Sequence, residues 1–188
     1  NFKVFGEWVT ERGNDKQGGG RKNRAFGWYI EGQSSFPNLM GKPKIGYRYV
    51  DLSGDKAGTP ENEEYRGLYY TIFKRDWDTW YQGEIAGEYH LFNQNQETQM
   101  FKIKLFPAAT WAVTLYYYVH ELSEPHYFAT PVSNTEWAKE INFGVEKFIS
   151  DRFYGYVGVA WSNPDAAAKE IFGDKDFAVV QTYLSFTF

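Results

Sequence analysis

The chain of 188 residues is rich in aromatic residues (16 Phe, 15 Tyr and 7 Trp), yet its mean hydropathy of −0.58 is polar. No stretch approaches the roughly 18 to 20 apolar residues that a membrane-spanning helix requires, which excludes a helical membrane protein. The net charge of −4 argues against nucleic-acid binding, and the absence of cysteine excludes thiolate metal sites and disulfides. A transmembrane barrel accounts for both the high aromatic content and the polar mean hydropathy, because its outer surface carries belts of aromatic residues while its lumen is polar.

Alternation of apolar and polar residues, bounded by turn residues, predicts eight β-strands. Each has room for roughly 9 to 11 residues, the length that a strand tilted by about 45° needs to cross the hydrocarbon core. In chain order, the strands contain Phe2–Trp8, Phe26–Glu31, Ile45–Tyr49, Thr98–Phe106, Thr110–Glu121, Glu140–Phe148, Phe153–Trp161 and Phe177–Phe188. We therefore predict an all-β fold, a transmembrane antiparallel up-and-down β-barrel that forms one domain over residues 1–188.

One face of each predicted strand suits lipid and the other suits a wet lumen. In the last strand, for example, Val180 and Leu184 oppose Gln181. Lys147 is an exception on the lipid side, at a strand end where its amine can reach the interface. Charges in the lumen tune the selectivity of a pore. The charged and imidazole side chains on the lumen side, which we predict to line the pore, are Lys3, Glu7, Glu31, Arg48, Lys102, Lys104, His120, Glu140 and Glu146.

The connections between the predicted strands alternate in length. Phe106–Thr110 and Phe148–Arg152 are short, whereas Leu122–Trp137 and Ser162–Lys175 are long. Outer-membrane barrels have short periplasmic turns and long extracellular loops. With Phe188 at the periplasmic end, the short connections are periplasmic, as this pattern requires.

The same alternation of periplasmic and extracellular connections assigns Ser53–Glu97 to one long extracellular loop. Thr79–Phe92 is aromatic enough to be a strand, but counting it as one would invert every earlier connection. We predict a short helix there, because its apolar residues recur at helical spacing. A second short helix is predicted between Pro164 and Gly173, with Pro at its start and Gly at its end.

Several segments carry a resemblance to a known family. The most specific is the Trp-rich Arg75–Ile85, followed by Gly87-Glu88-Tyr89. Other such segments are Tyr47-Arg48-Tyr49 with Ser53-Gly54-Asp55, Tyr116-Tyr117-Tyr118 after a short Pro-containing turn, and Asn163-Pro164 with its Ala-rich sequel. Together they span nearly all of the chain and resemble the alginate-export family of outer-membrane porins.

This resemblance implies a barrel of about sixteen to eighteen strands, of which the chain would be the C-terminal half. It implies an integral protein of the bacterial outer membrane that lets hydrophilic, anionic, uronate-containing sugars pass. The implied partners are the lipid bilayer, lipopolysaccharide and the outer-membrane assembly machinery, which would recognise the last strand through Phe188. No cofactor, metal or catalytic residue is expected.

Other functions remain open. The barrel could be a sheath around a partner protein that occupies the lumen, or it could contact a periplasmic partner. It could also be a small eight-stranded barrel with a structural or lipid-hydrolase role. The candidates for catalysis are His120, Glu121, Ser123 and His126. No nucleophile-elbow pattern surrounds Ser123, which argues against catalysis. A soluble aromatic β-sandwich would have to bury the faces assigned to lipid.

Overall fold

The computed structural model describes residues 1–15, 20–66, 82–150 and 152–186. The fold is all-β, with 63% of the described residues in strands. Within the described ranges, the elements are β1 (Phe2–Asp15), β2 (Arg21–Ser35), β3 (Lys44–Leu52), a π-helix (Gly83–His90), β4 (Gln96–Ala108), β5 (Trp111–Leu122), β6 (His126–Tyr127), β7 (Thr130–Pro131), β8 (Glu136–Ser150), β9 (Phe153–Pro164), α1 (Ala166–Phe172) and β10 (Phe177–Phe186). Neither helix is long and apolar enough to cross a membrane.

Eight of the strands form one antiparallel sheet in the order β1-β2-β3-β4-β5-β8-β9-β10. Each strand pairs with the next one along the chain, once the small β6–β7 hairpin is set aside. This confirms the prediction of eight antiparallel strands. The sheet is not closed, because among the described residues β1 pairs only with β2 and β10 only with β9. Closure into a barrel remains a prediction.

The two faces of the sheet differ sharply in polarity and exposure. Directly opposed residues of an antiparallel pair point to the same face, and one row of such residues crosses six neighbouring strands. It consists of Ile45, Ile103, Leu115, Phe143, Val159 and Val180. Each of these side chains is between 42% and 72% exposed. We call the face with this row the outward face, and the opposite face the inward face.

The inward face is covered by residues from the long connection between β3 and β4. Tyr65 packs with Ala25, Tyr29, Val50 and Leu52 against β2 and β3. Residues 82–95, here called the inserted segment, bury Ile85 and Leu91 in two further apolar clusters over β4, β5, β8 and β9. The core therefore lies between the sheet and this connection.

The helix in the connection differs from the predicted one. It is a π-helix from Gly83 to His90 rather than a helix over 79–92, and residues 79–81 lie outside the described residues. Its ladder includes the hydrogen bond from the Leu91 N–H to the Ala86 carbonyl, five residues back. The residues predicted as an extracellular loop thus include a helix buried against the inward face.

The second predicted helix forms as α1. Asp165 precedes it and accepts a hydrogen bond from the Ala166 N–H at 3.2 Å. Gly173 follows it with a φ of +80°, a left-handed conformation that favours glycine at a helix end. The last predicted strand forms as β10, while residues 187–188, including the Phe188 expected to be read by the assembly machinery, lie outside the described residues.

Candidate functional site

All nine predicted pore-lining residues lie on the inward face. Six are buried: Glu31, Arg48, Lys102, His120, Glu140 and Glu146. Lys104 is partly buried, whereas Lys3 and Glu7 are exposed because they lie on the edge strand β1. The nine residues form separate groups rather than one continuous surface.

The first group is an ion-pair cluster on β2, β3 and β4. Arg48 is directly opposed to Glu31, and its Nε and Nη2 each lie 2.7 Å from Glu31 Oε2. Gln33 donates its amide to Glu31 Oε1 at 2.6 Å, and Lys102 Nζ lies 3.8 Å from the same oxygen. Burying a carboxylate is costly unless it is paired and hydrogen-bonded. Glu31 meets both conditions.

The second group joins β4 to β8 over the intervening β5. Lys104 Nζ lies 2.6 Å from Glu146 Oε2, and Tyr154 donates its hydroxyl to Glu146 Oε1 at 3.0 Å. The row between them contains small residues, Thr114 on β5 and Gly144 on β8. This leaves space for the Lys104 side chain to run along the inward face.

Glu140, which is fully buried, binds the inserted segment. Its Oε2 accepts hydrogen bonds from the Ala86 N–H at 2.7 Å and from the Ile85 N–H at 3.2 Å, and its Oε1 lies 3.1 Å from the Ile85 nitrogen. Backbone donors at a helix start favour a carboxylate. Glu140 therefore holds the segment against β8 instead of lining open space.

His120 lies beside this contact in a network of neutral groups. Its Nδ1 is 3.0 Å from Thr98 Oγ1, which also accepts a hydrogen bond from the Gln96 amide at 3.0 Å. The ring stacks on Tyr118 with centroids 5.6 Å apart. His126, the other histidine considered for catalysis, has its Nε2 3.0 Å from the Asp55 carbonyl oxygen. Both histidines thus make contacts that account for their positions structurally.

The outward face carries its charge near the turns. Lys147, the predicted exception, lies directly opposite Trp111 at the end of β5. Its amine is 4.3 Å from the Trp111 ring centroid and 2.9 Å from Thr110 Oγ1. A cation over an aromatic ring at a strand end matches an interfacial position.

Sequence reasoning assigned the charges to the correct face and predicted a helix in this connection, but it did not predict that the inserted segment packs on the inward face. A signal was present, because Gly83 and Gly87 lie four residues apart within an otherwise apolar and acidic stretch. A Cβ at Gly83 would lie 2.8 Å from His120 Nε2 and 3.0 Å from Glu140 Oε1. A Cβ at Gly87 would lie 1.8 Å from the Gln82 carbonyl oxygen. Both positions therefore require glycine.

The fold defines an all-β protein with one open eight-stranded antiparallel sheet, apolar on its outward face and charged on its inward face. Searches against models of known protein families and against curated proteins found no match to this chain. The resemblance to alginate-export porins therefore rests on the sequence motifs alone.

Proposed function

We propose that this chain forms the wall of a β-barrel in the bacterial outer membrane and serves the passage of hydrophilic, anionic, sugar-like solutes. The observation that supports it best is the separation of the two faces. The outward row Ile45 to Val180 is apolar and exposed, whereas the inward positions on either side of Ile103 carry Lys102 and Lys104. Arg48 lies on the same inward face of β3. Lipid on one side and water on the other would favour this distribution.

The extent of the exposed apolar face favours lipid as its environment. Monomeric soluble proteins rarely expose contiguous apolar patches of more than a few hundred Å². Here the exposed apolar side chains extend from Phe2 and Trp8 on β1 to Leu184 and Phe186 on β10. Both edge strands would then lie in hydrocarbon, where every backbone polar group needs a partner. The proposal therefore requires β1 and β10 to pair with each other or with further strands.

The basic residues of the inward face support an anionic solute. Arg48, Lys102 and Lys104 occupy neighbouring strands β3 and β4. Rings or rows of lumen charges set the ion preference of a passage. The motifs shared with alginate-export porins would make the solutes uronate-containing sugars.

A structural barrel without a passage is the second candidate. It is favoured by the pairing of the inward charges, since the Lys102 and Lys104 amines and the Arg48 guanidinium all lie within 3.8 Å of a carboxylate oxygen. The interior of an eight-stranded barrel is just wide enough to be filled by side chains. A sheath around a partner protein is less well supported, because the inserted segment already covers much of the inward face.

Purification followed by planar-bilayer recording tests the proposal. We expect the protein to need detergent, to conduct, and to prefer anions. Lys104→Gln should reduce this preference, measured as a shift of the reversal potential in a salt gradient. Lys169→Gln on α1, outside the sheet, is the matched control and should leave it unchanged. A monodisperse protein without detergent would refute the membrane assignment, and a detergent-dependent protein without conductance would favour the structural barrel.

A further inference from the structure

The start of the inserted segment is hydrogen-bonded to Glu140 of the sheet. Glu140 accepts hydrogen bonds from the Ile85 and Ala86 N–H groups at 3.2 and 2.7 Å. Around this contact, Gly83 allows the backbone to approach His120 of β5 and Glu140 of β8, and Gly87 allows it to approach the Gln82 carbonyl within the segment itself. A carboxylate bound to backbone donors is a strong and directional contact. Glu140 thus supplies the polar contact that fixes the start of the segment, next to the apolar contacts of Ile85 and Leu91.

The far end of the π-helix is held by ring contacts. The His90 imidazole lies 4.6 Å from the Phe177 ring centroid and 4.7 Å from that of Phe172, with Trp137 at 6.4 Å. Burial lowers the pKa of His90 to about 4, so the ring is neutral at ordinary pH. Protonation of His90 would place a charge among three aromatic rings and weaken this end of the contact.

The docked segment also contains an opposing feature, a cluster of carboxylates. Glu84 is buried near Glu88 on the same helix and Glu140 on β8. Burial first, and then these two carboxylates, raise the pKa of Glu84 to about 7, although a hydrogen bond with Tyr89 lowers it slightly. Ionised Glu84 is therefore disfavoured in the docked state. The hydrogen bonds of Glu140 thus stabilise the docked segment, while repulsion among the carboxylates of Glu84, Glu88 and Glu140 destabilises it.

The remaining elements packed on the segment bring few titratable groups. His120 of β5 lies next to Gly83, and Tyr156 of β9 shares an apolar cluster with Ile85. From β10 and α1, the contacts come from the apolar Phe177 and Phe172. Glu84 and His90 are thus the groups of the segment whose pKa values are displaced into the range between 4 and 7.

We propose that residues 82–95 are a removable closure of the inward face, latched by Glu140 on the Ile85 and Ala86 N–H groups and seated at His90 in its aromatic pocket. This inference rests on the proposed function, because a closure matters only if a passage lies behind it. With the segment docked, Glu140 is fully buried beneath the Ile85 and Ala86 N–H groups. A solute reaches this part of the inward face only when the segment moves.

The two displaced groups make the closure sensitive to pH in opposite directions. Glu84 binds its proton more tightly in the docked state, so its contribution is full below pH 4.5 and is lost as the pH rises to about 7. His90 binds its proton less tightly in the docked state, so its contribution is full above pH 6.5 and is lost as the pH falls to about 4. Between about pH 4.5 and 6.5 the two contributions therefore change in opposite directions and largely offset each other, so docking varies little with pH while both groups are present.

Hydrogen exchange of the detergent-solubilised protein tests the latch. We expect the Ile85 and Ala86 amides to be protected, but to open without unfolding of β5 and β8. Glu140→Met should reduce their protection factors by at least about tenfold, the effect of losing one such hydrogen bond, while strand amides keep theirs. Glu146→Met, which removes another buried carboxylate bound to Lys104 and Tyr154, is the control and should not act selectively on the segment.

The pH profile separates the two groups. Protection of the Ile85 and Ala86 amides should change little between pH 4.5 and 6.5 in the wild type, rise up to about pH 6.5 in Glu84→Gln, and fall from pH 4.5 to about 7 in His90→Phe. The proposed closure would be wrong if the amides of the segment exchanged only as slowly as the strand amides, both in the wild type and in Glu140→Met. The segment would then open only when the strands unfold. If the protein conducts ions but the segment exchanges only with the strands, the closure is refuted and the proposed passage is not. If the segment is released but the protein does not conduct, the passage is refuted and the release of the segment is not.

Discussion

Glu31 on β2 and Arg48 on β3 face each other with 2.7 Å between Glu31 Oε2 and the Arg48 nitrogens, and neither side chain is more than 3% exposed. The pair lies against an apolar wall, because Arg48 is directly opposed to Met100 on β4 and lies over the Tyr29 ring. Charges this deep depend on their partners, since water cannot replace them. The inward face is thus stabilised by specific ion pairs.

Substitution of Glu31 should be strongly destabilising. Glu31→Gln leaves Arg48 and Lys102 close together without the carboxylate, and we expect a loss of about 3–5 kcal/mol in the free energy of unfolding. The measurement is denaturant unfolding in detergent or lipid. Glu61→Gln is the control, because Glu61 pairs at 3.6 Å with the exposed Arg24 and should change stability by less than about 1 kcal/mol. Equal effects of the two substitutions would contradict the buried-pair account.

A charge on the outward face tests whether that face meets lipid. Val159 is 44% exposed and lies in the apolar row between Phe143 and Val180. If lipid covers it, Val159→Arg should cost about 2–4 kcal/mol for folding into vesicles. Phe128→Arg, at a 50% exposed residue of the β6–β7 hairpin, is the matched control and should cost little. In a soluble protein an exposed Val159→Arg would also remain within about 0.5 kcal/mol, and this result would refute lipid contact.

Gly144 tests the packing of the inward face. A Cβ at this position would lie 2.8 Å from Cε2 of the buried Tyr156 ring. The ring cannot move without disturbing its neighbours, so Gly144→Ala should destabilise the fold by about 1–3 kcal/mol. At Gly155 on β9 the nearest atom to a Cβ is Leu184 Cδ2 at 3.5 Å, an ordinary contact. Gly155→Ala should therefore be close to neutral when the unfolding midpoints of the two variants are compared.

The loop that begins after β3 should be sensitive to acid through Asp55. Burial acts to raise the pKa of Asp55, but the hydrogen bonds from Arg21 and from the Glu63 N–H, together with the charges of Arg21 and His126, lower it overall. Its stabilising contribution is therefore present above the ordinary pKa of 3.8 and is lost as the pH falls below that value. Hydrogen exchange around Glu63 should show this loss, and Asp55→Asn should abolish it. A pH-independent wild-type loop would contradict the prediction.

Strand faces could be predicted from sequence because their physical cause is local. Side chains alternate across a strand with a period of two, so a position such as Lys102 or Glu140 is assigned to a face by its neighbours alone. All nine candidate residues lie on the face that this rule predicts. The same reasoning correctly predicted eight antiparallel strands.

Which charges meet could not be predicted in this way. Lys104 reaches Glu146 over β5, and this contact depends on the register of three strands and on the small Thr114 between them. The inserted segment depends on contacts such as that of Glu140 with Ala86, 54 residues apart in the chain. Alternation carries no information about such distant contacts.

The sequence by itself therefore determined the strands and the polarity of their two faces, because backbone geometry links both to near neighbours. Only the tertiary structure decided that Glu140 holds the long connection against the sheet and that Arg48, Lys102 and Lys104 are paired. Both follow from the burial of polar groups, which are stable away from water only where folding brings a partner to them.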